Sequence, residues 1–306
     1  MLSLLRKLDP AARLVDRARR SLREKAGLER LEASLADGRT IVYLDTGGGG
    51  PGGGKPPLIL LHGIGANKDH WPRLARRLRA RFRALAPDLP GFGESDRSDD
   101  GDYSMAGQAE AVLAFADALG LGAFHLAGSS MGGRIAAELA ARHPDRVRTL
   151  WLLDPAGAEG ERPSEMIESL YSGAEVPLFS RTPEEYQAAT DFVMSRPPKL
   201  PSFAVRALAA ESAAAYDLNL RIFRQMSAEL AAGPSTEELL RGVEIPTLVT
   251  WGEEDRVLHP SGATPIPDAM PNASVHLMAG VGHLPLLEDP DTTAAAYFEF
   301  LGGHDA

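Results

Sequence analysis

Gly128-Ser129-Ser130-Met131-Gly132 stands directly after the apolar run Ala123-Phe124-His125-Leu126-Ala127 and shortly before a helix-forming stretch at 134–142. A G-x-S-x-G pentapeptide between a strand and a helix predicts a serine at the apex of a tight, strained turn, with its Oγ lifted clear of the backbone. The flanking glycines have a steric reason. The incoming strand and outgoing helix pass so closely that a Cβ on either side would collide. Only one of the two serines fits this frame: Ser130 has Gly128 and Gly132 two residues away on either side, whereas Ser129 would have Ala127 and Met131. Ser130 is the candidate nucleophile. Taken alone, the pentapeptide also reads as a glycine-rich turn with a capping serine, because both residue types are common at helix starts.

The same alternation of short apolar strand and helix continues on both sides of that turn. Upstream, 31–35 and 40–44, joined through Asp37-Gly38, read as a β-hairpin. A strand at 58–61, a helix at 73–80, a strand at 82–86 and a helix at 108–119 follow, and after the 134–142 helix comes a strand at 147–153. From Gly157 to Gly242 the alternation breaks into Ala-, Glu- and Ser-rich sequence with helical periodicity and no strand. It resumes with strands at 245–251 and 274–278 and a closing helix at 292–301. Strands this short and uniformly apolar are covered on both faces, as in a mostly parallel sheet flanked by helices. The chain therefore reads as one α/β domain in two parts, 31–156 and 243–306, interrupted by a helical insertion at 157–242. The glycine run 47–54 resembles the close of a phosphate loop at Gly54-Lys55, but Pro56 stands where the metal-binding Ser or Thr is needed, so it reads as a surface connector.

With 306 residues, 44% hydrophobic and 24% charged, the composition is that of a globular chain long enough for one large domain with an inserted lobe. No apolar run approaches the roughly 18 residues of a membrane-spanning helix. The absence of cysteine excludes disulfides, thiol catalysis and cysteine-ligated metals. A net charge of -10 argues against general nucleic-acid binding. That acidity is uneven: between Met1 and Lys25 stand eight basic residues against three acidic ones. Leu4, Leu5, Leu8, Ala11, Ala12, Val15, Ala18 and Leu22 recur there at helical spacing, so 1–30 is predicted as a basic amphipathic N-terminal helix. It lacks the continuous apolar core of a secretory signal peptide, which points to a cytoplasmic protein. Such a helix either lies on an anionic membrane surface, as a peripheral contact through 1–25, or packs on its own domain or a partner subunit.

A serine nucleophile needs a base, an orienting acid and donors for the oxyanion. His283, in the glycine-rich loop Gly280-Val281-Gly282-His283 at the end of a strand, can swing its imidazole over the sheet edge; His70 and His259, on other loops, remain weaker rivals. Two carboxylates end strands, Asp154 after Trp151-Leu152-Leu153 and Asp255 in Trp251-Gly252-Glu253-Glu254-Asp255, and both satisfy the order Ser, Asp, His. Asp255 is favoured because it sits on the loop after the strand that precedes the histidine strand, with room to reach Nδ1, whereas Asp154, followed by Pro155, reads as a cap where the insertion begins. For the oxyanion, the backbone N–H of Met131 is one donor and that of Ile64, in the loop His62-Gly63-Ile64-Gly65, is the other. His62, Gly63 and Ser129 are expected to line the substrate site. No histidine pair has metal-ligand spacing with a third partner, and Gly91-Phe92-Gly93-Glu94-Ser95 lacks the third glycine of a dinucleotide fingerprint, so neither metal nor cofactor is expected.

Several strings resemble a particular family. His62-Gly63-Ile64-Gly65-Ala66-Asn67-Lys68-Asp69-His70-Trp71, Asp88-Leu89-Pro90-Gly91-Phe92-Gly93-Glu94-Ser95, Ser129-Ser130-Met131-Gly132-Gly133, 150–157 and 257–263 are similar to segments of the α/β-hydrolases, in the branch of bacterial family V lipases and monoacylglycerol lipases. The resemblance runs from about residue 38 to 301. It implies the α/β-hydrolase fold, with Ser130 as nucleophile, Asp255 as acid, His283 as base, the amides of Ile64 and Met131 as oxyanion hole, and the insertion as a cap over the site. Relatives in that branch often begin with a hydrophobic export or anchor segment, where this chain has the basic helix.

The expected activity is hydrolysis of carboxylic esters with an apolar acyl group, a small-molecule ester or a lipid. Met166, Leu170, Phe179, Phe192, Met194, Phe203, Ile222, Phe223 and Met226 of the insertion offer apolar area for an acyl channel, although each taken singly reads first as core of the insertion. A C–C bond hydrolase or cofactor-free perhydrolase would use the same three residues, and a non-catalytic ligand receptor could share the fold. Epoxide hydrolase and haloalkane dehalogenase activities are disfavoured, because those relatives carry aspartate where Ser130 stands.

Overall fold

The computed structural model describes residues 9–48, 54–98, 101–173 and 178–303; the start of the predicted basic helix, Gly49 to Gly53 of the predicted connector, and His304 lie outside the described residues. Eight strands, β1 (Glu29–Ser34), β2 (Thr40–Asp45), β3 (Pro57–Leu61), β4 (Arg83–Pro87), β5 (Phe124–Ser129), β6 (Val147–Leu153), β7 (Thr247–Gly252) and β8 (Ala273–Met278), form one sheet. Their order is β1-β2-β4-β3-β5-β6-β7-β8. The β1–β2 hairpin is antiparallel and β2 runs antiparallel to β4; every other pairing is parallel. The helices are α1 (Pro10–Ala26), α2 (Pro72–Leu78), α3 (Met105–Ala118), α4 (Met131–Arg142), α5 (Glu165–Tyr171), α6 (Pro183–Val193), α7 (Ser202–Ala232), α8 (Thr236–Leu239), α9 (Pro265–Ala269), α10 (Pro285–Glu288) and α11 (Pro290–Gly302).

The uniformly apolar central strands have a simple cause. Successive side chains point to opposite faces, and both faces are covered. Ile59, Leu61, Leu126, Leu150, Leu152 and Val249 pack with Val112 and Phe115 of α3 and Ile135 and Leu139 of α4. Leu58, Leu60, Ala127, Trp151, Leu153 and Leu248 pack on the other side with Leu74 and Leu78 of α2 and Tyr297 and Leu301 of α11. On that second face Tyr297 stacks on Trp151 with ring centroids 4.3 Å apart. Its hydroxyl bonds Thr149 Oγ1, which in turn bonds His125 Nδ1, so a polar chain is satisfied inside the apolar layer. Burial, and secondarily the nearby Arg148 charge, lowers the pKa of His125 to about 4. It is a neutral core histidine.

The N-terminal helix α1 packs on its own chain. Asp9 caps its start by accepting from Ala11 N–H, and Gly27, at φ 68°, ends it. Val15 sits against Ala204 and Ala207 of α7. Arg19 makes a two-pronged bond to Glu211 of α7 at 3.0 and 2.8 Å. Arg23 does the same to Asp69 at 2.6 Å on both prongs. The opposite face leaves Leu14, Arg17, Arg20, Leu22 and Lys25 exposed.

Candidate active site

Ser130 joins β5 to α4 in the conformation that the pentapeptide predicts. Its φ of 57° and ψ of −119° lie in a region that L-residues avoid. Among the described residues only Asp154, at φ 45°, joins it as a non-glycine with positive φ. The strain persists because the surroundings over-determine it. Ser130 N–H donates to Leu153 O at 2.9 Å, and its carbonyl accepts from Gly133, Arg134 and Ala156. A Cβ on Gly128 would lie 2.0 Å from Gly132 O, and one on Gly132 would lie 2.3 Å from Leu61 O. Both glycines are thus required by backbone packing.

The loop after β3 lies directly against this serine. A Cβ on Gly63 would sit 3.2 Å from Ser130 Cβ and 3.7 Å from its Oγ. Ile64 follows, and Met131 opens α4, where the first amides of a helix lack intrahelical partners. His62 shapes the loop: its Nδ1–H donates to Gly63 O at 2.8 Å, while Nε2 accepts from Leu89 N–H at 3.0 Å. Burial holds the ring below the ordinary histidine range. Both ring nitrogens are therefore spent on backbone groups. The Ser129 hydroxyl is buried without a partner.

Two further loops carry the candidate base and acid. His283 Nδ1 and Asp255 Oδ2 are 2.7 Å apart, and both residues are buried. Asp255 Oδ1 accepts from the backbone N–H of Val257 and Leu258, at 2.8 and 3.0 Å, and Oδ2 also accepts from Trp251 Nε1 at 3.1 Å. With Nδ1–H donated to the carboxylate, Nε2 of His283 is left as the basic nitrogen. Gly252 lets the two loops approach, since a Cβ there would lie 2.0 Å from Gly282 O. Asp154, expected to cap the start of the insertion, instead turns into this cluster. Its Oδ1 accepts from Gly252 N–H at 2.9 Å, and its Oδ2 is buried without a partner. The rival His259 bonds Ser261, two residues further along its own loop, through Nδ1 at 2.8 Å.

The profile of the alpha/beta hydrolase fold family matches residues 56–290. The chain is an α/β-hydrolase. It is 35% identical to Lipase 1 of Psychrobacter immobilis over 282 residues, covering 91% of this chain and 86% of that one. It is 30% identical to human monoacylglycerol lipase ABHD6, covering 81% of this chain and 76% of that one. Among solved structures it resembles a bacterial membrane phospholipase A, with a TM-score of 0.89 and 41% identity over 96% of this chain and 92% of the other.

Two features of this α/β-hydrolase site escape local reading of the sequence. The first is an ion-pair cluster beneath the 62–71 loop. Lys68, almost fully buried, reaches Asp88 at 2.6 Å and Glu94 at 2.8 Å, and Asp88 also accepts from the backbone of Lys68 and Glu94. Burial alone would raise the pKa of Glu94, but Lys68 and then Arg30 outweigh it and hold that carboxyl down to about 2. In sequence, Lys68 looks like any loop lysine; the only signal is an acid in each of two turns downstream. The second is how the inserted helices grip the site. Phe179 would lie 3.3 Å from a Cβ on Gly65, and it packs edge-on to Tyr216 and Phe223. Val193 O at the end of α6 accepts from His283 N–H at 2.9 Å. Glu288 of α10 bridges Gly282 N–H and Arg196 N–H. Four of the nine expected acyl-lining residues serve as packing: Ile222 and Met226 join the main core, and Met166 and Phe192 pack with Val257.

Proposed function

We propose that this α/β-hydrolase cleaves carboxylic esters with an apolar acyl chain through Ser130, His283 and Asp255, by way of a covalent acyl-enzyme. Its membership among the carboxylic ester hydrolases is supported by relatives named lipase and monoacylglycerol lipase at 30% identity or more. The observation that carries the mechanism is the buried Asp255–His283 bond of 2.7 Å, on the loops that end β7 and β8, in the same sheet as the strained Ser130 at the end of β5. His283 Nε2 takes the Ser130 proton as Oγ attacks the ester carbonyl. The oxyanion settles on the amides of Ile64 and Met131, whose fixed dipoles need no reorganisation. His283 then protonates the departing alcohol, and water repeats the cycle on the acyl-enzyme.

The helices of 157–242 act as the cap over this site, and their apolar side chains support a lipid ester as substrate. The exposed face of α1 supports contact with an anionic lipid surface, in keeping with the membrane phospholipase that the chain resembles. No helix among the described residues is long and apolar enough to cross a membrane. The test is Ser130→Ala, assayed on p-nitrophenyl esters from acetate to palmitate and on monoolein, with fluorophosphonate labelling alongside. Turnover and labelling should vanish while the thermal unfolding midpoint stays near that of the parent. Retained ester turnover would refute the assignment.

A further inference from the structure

The mechanism above uses one carboxylate, yet two stand at the site. Asp154, at the end of β6, is fully buried, and its carboxyl, that of Asp255 and the His283 ring each offer an atom within 4.8 Å of the other two. Among the described residues no cation is bonded to Asp154; its bonded partner there is Gly252 N–H, on Oδ1. Oδ2 is buried and accepts nothing. An ionised carboxylate in that position would leave a charged oxygen unsatisfied beside a second negative charge, an arrangement penalised both by lost hydration and by like-charge repulsion. A protonated one reverses the problem, because its O–H becomes a donor and the neighbouring carboxylate an acceptor.

We propose that Asp154 is a positioning residue that works as a neutral acid, its Oδ2–H directed at the Asp255 carboxylate so that the pair keeps a single negative charge facing His283. This rests on Asp255 being the acid of the triad. The groups that face Asp154 are Asp255 and His283 on the two neighbouring loops and Glu288 of α10. Burial first, and the Asp255 charge second, push the Asp154 carboxyl well above the ordinary carboxylate range. Its φ of 45° adds a second reason for the residue type. That left-handed region tolerates Asp and Asn but penalises residues that cannot bond locally.

Asp154→Asn keeps the shape, the neutrality and a donor. Asp154→Ala removes donor and acceptor and orphans Gly252 N–H. The Asn variant should keep kcat/KM on a p-nitrophenyl ester within about threefold, whereas Asp255→Asn should lose on the order of 10⁴. Asp154→Ala should lose tenfold or more in kcat with little change in KM, a loss that the Asn variant rescues. The acid limb of the kcat/KM profile, which reports His283, should coincide in wild type and Asp154→Asn. Were Asp154 ionised, removing a charge within 4.8 Å would lower that limb by about one pH unit or more. Such a shift, a large loss in the Asn variant, or a fully active Ala variant would each overturn the proposal. A full-activity Asp255→Asn enzyme would instead refute the triad on which it rests. Should the Ala variant fail to fold, the Asn variant and its pH profile decide the matter.

Discussion

Gly63 offers a perturbation that separates catalysis from folding. Its φ is not in the left-handed region, so alanine imposes no backbone strain there. The new methyl would lie 3.2 Å from Ser130 Cβ, 3.4 Å from Ser129 O and 3.7 Å from Ser130 Oγ, contacts that neighbours can relieve by small shifts. Overpacking of that size costs about 1 kcal/mol, the low end of what inserted methyls cost, and in a chain this long it moves Tm by about 2–3 °C. The catalytic effect should be far larger. On the proposed mechanism the methyl, 3.7 Å from Ser130 Oγ, crowds the side on which the ester carbonyl is to meet that oxygen. A displacement of the reacting carbon approaching 1 Å costs on the order of 10² in rate, or about 2.7 kcal/mol of transition-state stabilisation. Gly63→Ala should thus lower kcat/KM on p-nitrophenyl butyrate by about a hundredfold, with fluorophosphonate labelling slowed in parallel. Gly132→Ala is the contrast. Its Cβ would meet Leu61 O at 2.3 Å and His62 O at 2.6 Å, backbone atoms that cannot step aside, so that variant should lose its fold. A Gly63→Ala protein with an unchanged melting midpoint and turnover within threefold of the parent would refute the placement of the substrate against this loop.

Stability should fall as pH drops from 6.5 towards 4. Between those values the unfolded chain binds a proton at His125 that the folded chain, with its pKa lowered to about 4, does not bind. The loss approaches about 3 kcal/mol at 1.36 kcal/mol per pH unit, and urea midpoints across that range should be less steep for His125→Leu than for the parent; parallel slopes would refute it. On the outer face of α1, replacing Arg17, Arg20 and Lys25 together by Gln should weaken binding to phosphatidylserine vesicles by about a hundredfold, at about 1 kcal/mol per charge near the surface. Binding to neutral phosphatidylcholine vesicles and the melting midpoint should not move. Unchanged binding to the anionic vesicles would assign α1 to packing alone.

Residues that act on near neighbours were legible in the sequence. The β1–β2 hairpin follows from Asp37-Gly38 between two apolar runs, and the Ser130 turn from glycines two residues either side, because both are settled by local backbone geometry. Boundaries were less so. The strand at 123–127 runs on to Ser129, and α4 begins at Met131 instead of 134 because its two glycines, poor helix formers, are needed there for close approach to β3 and Pro155. The placement of β4 between β2 and β3 leaves no local trace, since strand order is set by pairing at a distance.

The sequence by itself determined the alternation of strands and helices, the apolar character of a sheet covered on two faces, and a serine that only a strained turn could present. Tertiary structure alone decided that both strand-ending carboxylates meet at the imidazole, with Asp255, favoured by its place in the chain, bonded to it and Asp154 beside that pair. It also decided that Lys68 is sealed between Asp88 and Glu94. Each of these depends on groups far apart in the chain meeting where water is excluded. There a charge or hydrogen bond takes its value from the full set of neighbours, and only the folded chain assembles that set.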